Sequence, residues 1–317
     1  MNTFHALFFA AVLAAPAAAA DFPTKPIRLV VPNPAGGTVD IIARALAQPM
    51  SAALGQNVIV DLRPGGNNII GTDLVARAPA DGHTLLVIGT HFVINPLLHK
   101  LPYDTWKSFT PVARVASTPI LFAVHPSVSA TSLKDLVALA KARPGEINYA
   151  SSTSGSGIHL AAVMFMSLAG IEMNYVPYQG GVQAAIAVLG GHAPVLVAPA
   201  SDAAPYLESA KLRPLAVASL ERSELIKNVP TVAESGFPGF AATSWFGAVA
   251  PAGTPAAVVG RLSREMLRAL EQPEIRANFA RLGISPAPME PAQFEAFLRS
   301  EMRSFGEIIK QAKVKAE

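Results

Sequence analysis

The 317-residue sequence has no cysteine, and charged residues make up only 15% of it. The absence of cysteine excludes disulfides, thiolate zinc sites and cysteine nucleophiles. Lysine and arginine number 25 against 22 aspartates and glutamates, and no run of basic residues concentrates this small excess. Nucleic-acid binding therefore has little support, and the formal charge of +3 favours acidic small ligands only weakly.

After its first twenty residues the sequence also lacks any apolar run near the roughly 18 residues typical of a membrane-spanning helix. An apolar run over residues 6–15, followed by Ala18–Ala20 and then Asp21, is typical of a secretory signal peptide. The alternative is a buried N-terminal helix, which the Ala-Pro-Ala-rich end disfavours. We expect residues 1–20 to be removed by cleavage after Ala20, leaving about 297 residues, enough for two domains.

Short apolar strands alternate with polar or glycine turns and with helices along most of the chain. Ile27–Pro32 is predicted to be a strand and Val39–Leu54 the helix after it, and the pattern recurs as far as the strand Leu215–Ser219. This alternation predicts an α/β fold with parallel sheets. Because low-complexity linkers are lacking, we expect the chain to cross between two domains within Ala113–Phe122 and Phe240–Ala250.

The turn after the first strand is predicted to bind an anion. Gly36 and Gly37 leave backbone N–H groups uncovered, and Thr38 is expected to cap the helix that follows. The first N–H groups of a helix have no partner within the helix and carry partial positive charge. Neither a Gly-Lys-Ser/Thr sequence nor a G-x-G-x-x-G spacing follows, so the turn favours a carboxylate over a nucleotide.

Three further turns share this design: Gly65–Asn68, Ser151–Gly157 and Tyr178–Gly181. A single glycine turn most often serves only to reverse the chain. Several of them in an open α/β sheet meet at the carboxyl ends of the strands, where ligands bind. Micromolar affinity corresponds to about −8 kcal/mol, and one charge-assisted hydrogen bond contributes about 1.5–3 kcal/mol, so four or five donors suffice without a cationic side chain.

The sequence gives little support to an enzyme or a metalloprotein. Ser152, Ser154 and Ser156 precede His159, but no G-x-S-x-G motif frames them, and His159 is better explained as a structural residue at a helix start. The remaining candidate ligands are histidines spaced eight residues apart, a spacing that puts no pair on one helical face: His83, His91 and His99. We therefore expect no catalytic residue, no metal site and no cofactor.

The ordered motifs of this sequence resemble those of the Bug family (TctC-like), the substrate-binding proteins of tripartite tricarboxylate transporters. The resemblance covers nearly the whole predicted mature chain. It rests on Lys25–Pro32, Pro34–Gly37, Asp40, Arg63–Gly66, Ile70–Gly71, Asp81–Leu86, Asn95–Pro96, Leu101–Asp104, Phe109–Val112, His159–Leu160, Val176–Tyr178, Lys211–Arg213, Pro230–Thr231, Trp245–Gly247 and Ala250–Pro255.

The resemblance implies a two-domain periplasmic binding protein of the type II kind, with two sheet-and-helix lobes and a ligand cleft between them. The first domain would comprise residues 21–122 and 245–317, and the second residues 123–244. The implied function is to capture a small carboxylate in the periplasm and deliver it to membrane subunits of a transporter. We expect a monomer. The alternative function is that of a periplasmic sensor presenting the ligand to a signalling receptor.

The resemblance also implies which residues bind the ligand, and the ends of the predicted strands add others. Asn33 stands where the family usually has an apolar residue, which makes the mouth of the cleft more polar. Ala198 stands where many members have an acidic or amide residue, so we expect a di-/tricarboxylate or aromatic carboxylate rather than an amino acid. The full predicted set is Asn33, Pro34, Ala35, Gly36, Gly37, Thr38, Thr90, His91, Ser151, Ser152, Thr153, Ser154, Gly155, Ser156, Tyr178, Gly180, Gly181 and Ala198.

Overall fold

The computed structural model describes residues 22–207, 210–312 and 314. The predicted signal peptide, residues 1–20, lies outside the described residues. The strands are β1 (Ile27–Val31), β2 (Val58–Leu62), β3 (Thr84–Ile88), β4 (Phe109–Val124), β5 (Asn148–Ser151), β6 (Asn174–Pro177), β7 (Val195–Pro199), β8 (Arg213–Val217), β9 (Thr243–Pro251) and β10 (Ser285–Met289).

The helices alternate with these strands, which confirms the predicted α/β class. They are α1 (Thr38–Leu54), α2 (Ile69–Ala76), α3 (His91–Leu98), α4 (Leu133–Ala142), α5 (Gly157–Ala169), α6 (Gly181–Leu189), α7 (Ala200–Leu207), α8 (Ala256–Ala269), α9 (Pro273–Arg281) and α10 (Pro291–Ala312).

One long strand, β4, belongs to both halves of the sheet, whose order is β2-β1-β3-β9-β4-β7-β5-β6. Its first part, Phe109–Pro119, pairs with β9, and its last part, Ile120–Val124, pairs with β7. We call the side with β1, β2, β3, β9 and β10 the first lobe, and the side with β5 to β8 the second lobe. The two lobes therefore share a continuous backbone at β4.

The sheet is mixed, so the expectation of parallel sheets is wrong for its centre. β1 pairs parallel with β2 and β3, and β5 pairs parallel with β6 and β7. In contrast, β4 and β9 run antiparallel to each other and to their other neighbours. The predicted crossing Ala113–Phe122 lies within β4, and all but the first three residues of the predicted crossing Phe240–Ala250 lie within β9. A strand that is buried on both faces reads as a continuous apolar run in either orientation, so its direction depends on its partners.

Each lobe has its own apolar core. In the first lobe, α1 buries Ile42, Leu46 and Met50 against Ile27 and Leu29 of β1. In the second lobe, residues of α4 and α5 pack on β5 and β7, with the fully buried Phe122, Tyr149 and Phe165 among them. Burial of such side chains contributes roughly 1.5–3 kcal/mol each, which lets a cysteine-free chain hold the turns in place.

Three elements were not anticipated from the sequence: α3, α7 and β10. Pro96 lies inside α3, Pro205 lies inside α7, and β10 contains two prolines within Ser285–Met289. Proline removes a backbone donor and disfavours both helix interiors and strands, so the local signal is weak at all three places. Tertiary contacts decide them: α3 packs on α10, and β10 pairs with β4.

Across the part of the chain that the structure describes, none of the helices is both long enough and apolar enough to cross a membrane.

Candidate functional site

A cavity of about 490 Å³ lies between the lobes, at the starts of α1, α2, α3 and α6. This volume falls within the range of small-molecule sites, roughly 300–1,000 Å³. The described residues that line it include no lysine or arginine, and Asp202 is the one carboxylate among them. The polar groups open to a ligand here are therefore mainly backbone N–H groups, amides, hydroxyls and the partial charges of helix termini, and they stand beside apolar lining residues such as Val39, Ile69 and Phe246.

The first glycine turn is held in place by a residue of its own helix. Asp40 Oδ2 accepts a hydrogen bond of 2.9 Å from the backbone N–H of Gly36, and Oδ1 pairs with Arg44 Nε at 2.7 Å. The expectation that Thr38 caps this helix is wrong, because Gly37 is the N-cap residue and has no side-chain cap. Thr38 is instead the first residue of α1, and its side chain is free to make another contact.

That contact joins the two lobes. The Thr38 backbone N–H and hydroxyl both donate to Asp202 Oδ1, at 3.1 and 2.6 Å, and the Thr38 hydroxyl lies 2.6 Å from Ser201 Oγ. Asp202 and Ser201 begin α7 in the second lobe. Burial raises the pKa of Asp202 to about 6, and the hydrogen bonds from Thr38 offset only part of this effect.

Two further hydrogen bonds link the lobes along the cavity wall. His91 Nε2 lies 3.2 Å from Thr153 Oγ1, and Asn67 Nδ2 donates to the carbonyl oxygen of Ser154 at 3.3 Å. Burial, with a smaller effect from the neighbouring His99, lowers the pKa of His91 to about 4. His91 is therefore a neutral polar group at pH 7 and brings no positive charge to the cavity.

Close packing leaves room only for glycine at two helix starts, once between the lobes at Gly157 and once within the second lobe at Gly181. A Cβ on Gly157 would lie 2.6 Å from Thr90 Oγ1 and 2.8 Å from Thr90 Cβ. A Cβ on Gly181 would overlap Asp202 Oδ2 and lie 2.9 Å from Pro199 Cδ. These glycines let the backbone of α5 and α6 reach their neighbours directly.

The structure brings most of the predicted site residues together at this cavity, from both lobes. The ones that line it are Asn33, Pro34, Ala35, Gly37, Thr38, Thr90, His91, Ser152, Thr153, Gly180 and Gly181.

The other predicted residues are not among those that line the cavity. Ser151 Oγ donates to the carbonyl oxygen of Val197 at 2.9 Å, and Ala198 is fully buried in β7. Tyr178 packs on the apolar core around β7. Three others make hydrogen bonds with residues three or four positions along the chain, and the carbonyl of the last accepts from Asn67 of the first lobe: Gly36, Gly155, Ser156 and Ser154.

Several lining residues were missing from the predicted set. Asn67 and Asn68 follow the second glycine turn, with φ angles of 50° and 72° that asparagine tolerates better than most residues. Their place in that turn was a usable signal. Asp202 carried none, because it lies 164 positions from Thr38 in the sequence. Further lining residues absent from the predicted set include Gln179, Gln183, Ser244 and Phe246.

The serines and the histidine considered for catalysis are engaged in helix capping. Ser156 Oγ accepts a hydrogen bond from the His159 backbone N–H at 3.1 Å, and Ser152 Oγ donates to Ser156 Oγ at 2.8 Å. His159 Nδ1 accepts from the Gly155 backbone N–H at 3.2 Å, and burial lowers the pKa of His159 to about 4. This arrangement stabilises the start of α5.

The described residues contain no group of three or more histidine and acidic side chains placed to hold a metal ion.

Comparison with known proteins identifies the family to which these features belong. Residues 42–314 match the sequence profile described as "Tripartite tricarboxylate transporter family receptor". The chain belongs to this family. Its resemblance to the Bug proteins is confirmed by protein BugT of Bordetella pertussis, which is 34% identical over 306 residues, covering 96% of this chain and 94% of BugT.

Solved structures of this receptor family match the fold closely. A structure of R. palustris Rpa4515 with adipate has a TM-score of 0.89 and 32% identity, and covers 93% of this chain and 99% of that one. MatC from Rhodopseudomonas palustris with bound malate has a TM-score of 0.83 and 28% identity, and covers 91% of this chain and all of its own. The protein is thus a periplasmic solute-binding protein of the Bug type.

Proposed function

We propose that this protein captures a small carboxylate in the cavity between its lobes and delivers it to a tripartite tricarboxylate-type membrane transporter. The observation that carries the proposal is the convergence of the starts of α1, α2, α3 and α6 on one cavity of about 490 Å³. Helix starts offer N–H groups without partners and a partial positive charge, which suit a carboxylate.

The relatives support the chemical class of the ligand. One was solved with adipate and another with malate, and both cover more than nine-tenths of this chain. Both ligands are small carboxylates, and the cavity described here has the size for either. The groups that would bind the carboxylate are mostly backbone N–H groups. We therefore expect the site to select the charge of the ligand more strongly than the shape of its carbon skeleton.

Some predicted site residues that do not line the cavity are proposed to hold a lining loop in place. Ser151, Ser154, Gly155 and Ser156 fix the loop that carries Ser152 and Thr153. We propose that this loop and the first glycine turn contact the ligand from opposite lobes when the lobes close. The hydrogen-bonded state of Ser156 and His159 supports binding without chemical conversion of the ligand.

We further propose that the chain has two domains, that its signal peptide is cleaved and that the mature protein is a monomer. The change of partner along β4 after Pro119 supports a domain boundary near residue 122, with the return crossing near residue 245. Cleavage after Ala20 would release the mature chain into the periplasm. We propose that the mature chain acts as a monomer that contacts the membrane subunits of the transporter.

The binding proposal is tested by thermal shift and isothermal titration calorimetry with a panel of carboxylates and their neutral amides. At least one carboxylate, with adipate and malate included, should stabilise the protein, and its amide should not. Gly181→Ala should weaken binding about tenfold because its Cβ would overlap Asp202 at the cavity wall, whereas Gly260→Ala, in the middle of α8, should bind normally. Stabilisation by neutral solutes alone would refute the carboxylate.

Delivery is tested by uptake of the labelled ligand in a deletion strain. Uptake should fall when the gene is deleted and return when the wild-type protein is restored, but not when Gly181→Ala is supplied. A change in gene expression with normal uptake would instead favour the sensor.

A further inference from the structure

The carboxylate of Asp202 accepts hydrogen bonds from a residue that the sequence predicts to bind the ligand. Its Oδ1 accepts both the backbone N–H and the hydroxyl of Thr38, the first residue of α1. Its residue is 7% exposed, so the charge is largely withdrawn from water. One N–H group at the start of α1 is therefore already used by an acid that belongs to the opposite lobe.

The second oxygen of this carboxylate is in a different situation. Among the described residues, none donates a hydrogen bond to Asp202 Oδ2. Oδ2 lies beside the start of α6, so close that a Cβ on Gly181 would overlap it, and Asp202 lines the cavity. A carboxylate that is largely withdrawn from water gains from every donor it can reach, and because Asp202 lines the cavity, a bound ligand can supply one to Oδ2.

The surrounding charges do not supply that donor. The described lining contains no lysine or arginine, and burial keeps the pKa of His91 low enough for the ring to be neutral. The partial positive charges of the α1 and α6 starts compensate the carboxylate only in part. The wall of the cavity near Gly181 is consequently a hydrogen-bond acceptor with a negative charge, while other parts of the wall offer donors.

We propose that Asp202 selects the ligand, with its free Oδ2 accepting a hydrogen bond from a hydroxyl or ammonium group of a bound monocarboxylate. This rests on the proposed carboxylate-binding function. The carboxylate of the ligand would bind N–H groups elsewhere in the cavity, and its donor group would face Asp202. A second carboxylate at that end of the ligand would meet a like charge and bind more weakly. The loss of a polar group at Ala198 is thus replaced by an acid four positions later.

The test uses ligands of equal length that differ only in the terminal group. One series is butyrate, 4-hydroxybutyrate, 4-aminobutyrate and succinate. A second series is hexanoate, 6-hydroxyhexanoate, 6-aminohexanoate and adipate, so that length does not limit the result. Calorimetry with the wild-type protein should give at least tenfold tighter binding for a hydroxyl or ammonium terminus than for a methyl terminus. Comparing the affinities of the ligands with hydroxyl and ammonium termini shows which donor the site prefers.

Asp202→Asn is the decisive variant. Its Oδ1 still accepts from Thr38, and its amide nitrogen takes the place of Oδ2, so that an acceptor becomes a donor. The order of ligands should reverse: the ammonium terminus should lose at least tenfold, and the carboxylate terminus should gain at least tenfold. Thr38→Val is the matched control, because it removes the hydroxyl that joins the lobes but leaves Oδ2 charged. The preference for donors should persist in Thr38→Val.

The outcomes separate this inference from the proposed function. If no carboxylate binds, either in these two series or in the wider panel used to test the proposed function, the proposed function fails. If carboxylates bind but the wild-type protein shows no preference among the termini, the selective role of Asp202 fails while the proposed function stands. The comparison of ligands on the wild-type protein is decisive by itself if Asp202→Asn does not fold.

Discussion

The side chain of Asp40 accepts a hydrogen bond of 2.9 Å from the backbone N–H of Gly36, which lies four residues earlier in the sequence. This bond ties the first glycine turn to the helix that follows. The same side chain pairs with Arg44 one turn further along α1. The turn that we propose to bind the anion is thus held in place by its own helix. Its N–H groups keep a fixed direction without a ligand, which lowers the entropic cost of binding.

Removing this brace should weaken both the fold and the site. Asp40→Ala leaves the Gly36 N–H without its partner, and we expect a loss of about 1–3 kcal/mol in the free energy of unfolding. Affinity for the carboxylate should fall as well. Denaturant unfolding and calorimetry measure the two effects. Asp73→Ala is the matched control, because Asp73 pairs with Arg77 in the same i,i+4 arrangement but holds no turn. Equal effects in the two variants would contradict the role of Asp40.

The contact between Gly157 and Thr90 should control how far the lobes close. In Gly157→Ala the new Cβ would lie 2.6 Å from Thr90 Oγ1, so we expect the lobes to stand further apart and ligand affinity to fall about tenfold or more. Small-angle scattering should show a larger radius of gyration. Adding Thr90→Gly should restore closure, because it removes the opposing side chain. Failure of that rescue would mean that the glycine serves the helix and not the contact.

Asn33 should influence which ligand the cavity prefers. Its Oδ1 accepts a hydrogen bond of 3.4 Å from Asn68 Nδ2, and both residues line the cavity. Asn33→Phe replaces this polar pair with an apolar ring, so aromatic carboxylates should gain affinity relative to hydroxylated ones. A thermal-shift panel measures the change in order. Unchanged selectivity would refute a special role for Asn33.

Asp202 should make the stability of the protein depend on pH. Burial raises its pKa to about 6, above the ordinary value of 3.8, so the folded state holds this proton more tightly than the unfolded state. The contribution of Asp202 to stability therefore falls by about 3 kcal/mol as the pH rises from about 4 through 6. The difference in unfolding free energy between wild type and Asp202→Asn measures it, because the titratable His91 and His99 at the same cavity are common to both. A difference that is constant with pH would contradict the prediction.

His159 should act in the opposite direction. Burial lowers its pKa to about 4 from an ordinary 6.5, so the unfolded state binds the proton first. Stability should fall by about 3 kcal/mol as the pH drops from about 6.5 to 4. His159→Asn, whose amide oxygen can still accept from Gly155, should be less sensitive to acid in denaturant titrations. The exposed His192→Asn is the control and should behave as wild type. Equal acid sensitivity in both variants would exclude His159 as the cause.

The strands and helices around the first lobe could be predicted well because their signals are local. The strand Ile27–Val31 and the helix Thr38–Leu54 begin and end within one residue of the predicted bounds, Ile27–Pro32 and Val39–Leu54. The antiparallel course of β4 and β9 could not be predicted. Both are buried apolar runs, and direction is a property of the pair and not of either strand.

The same division applies to the candidate site. Thr38, Thr90 and Gly181 were recognisable because each stands at a glycine-rich or strand-ending turn. Ser151 and Ala198 stand in equally suggestive places but turn into the second lobe. The side of a strand or turn that faces the cavity depends on packing, which no short motif records.

By itself, the sequence determined the family and the α/β alternation and led to the prediction that backbone turns receive an anion, since these follow from residue order over a few positions. Only the tertiary structure decided that Asp202 meets Thr38 across 164 positions and that a negative group stands in the wall of the cavity. The reason is that contact between distant residues depends on how two separately packed lobes come together. Local propensity carries no information about that geometry.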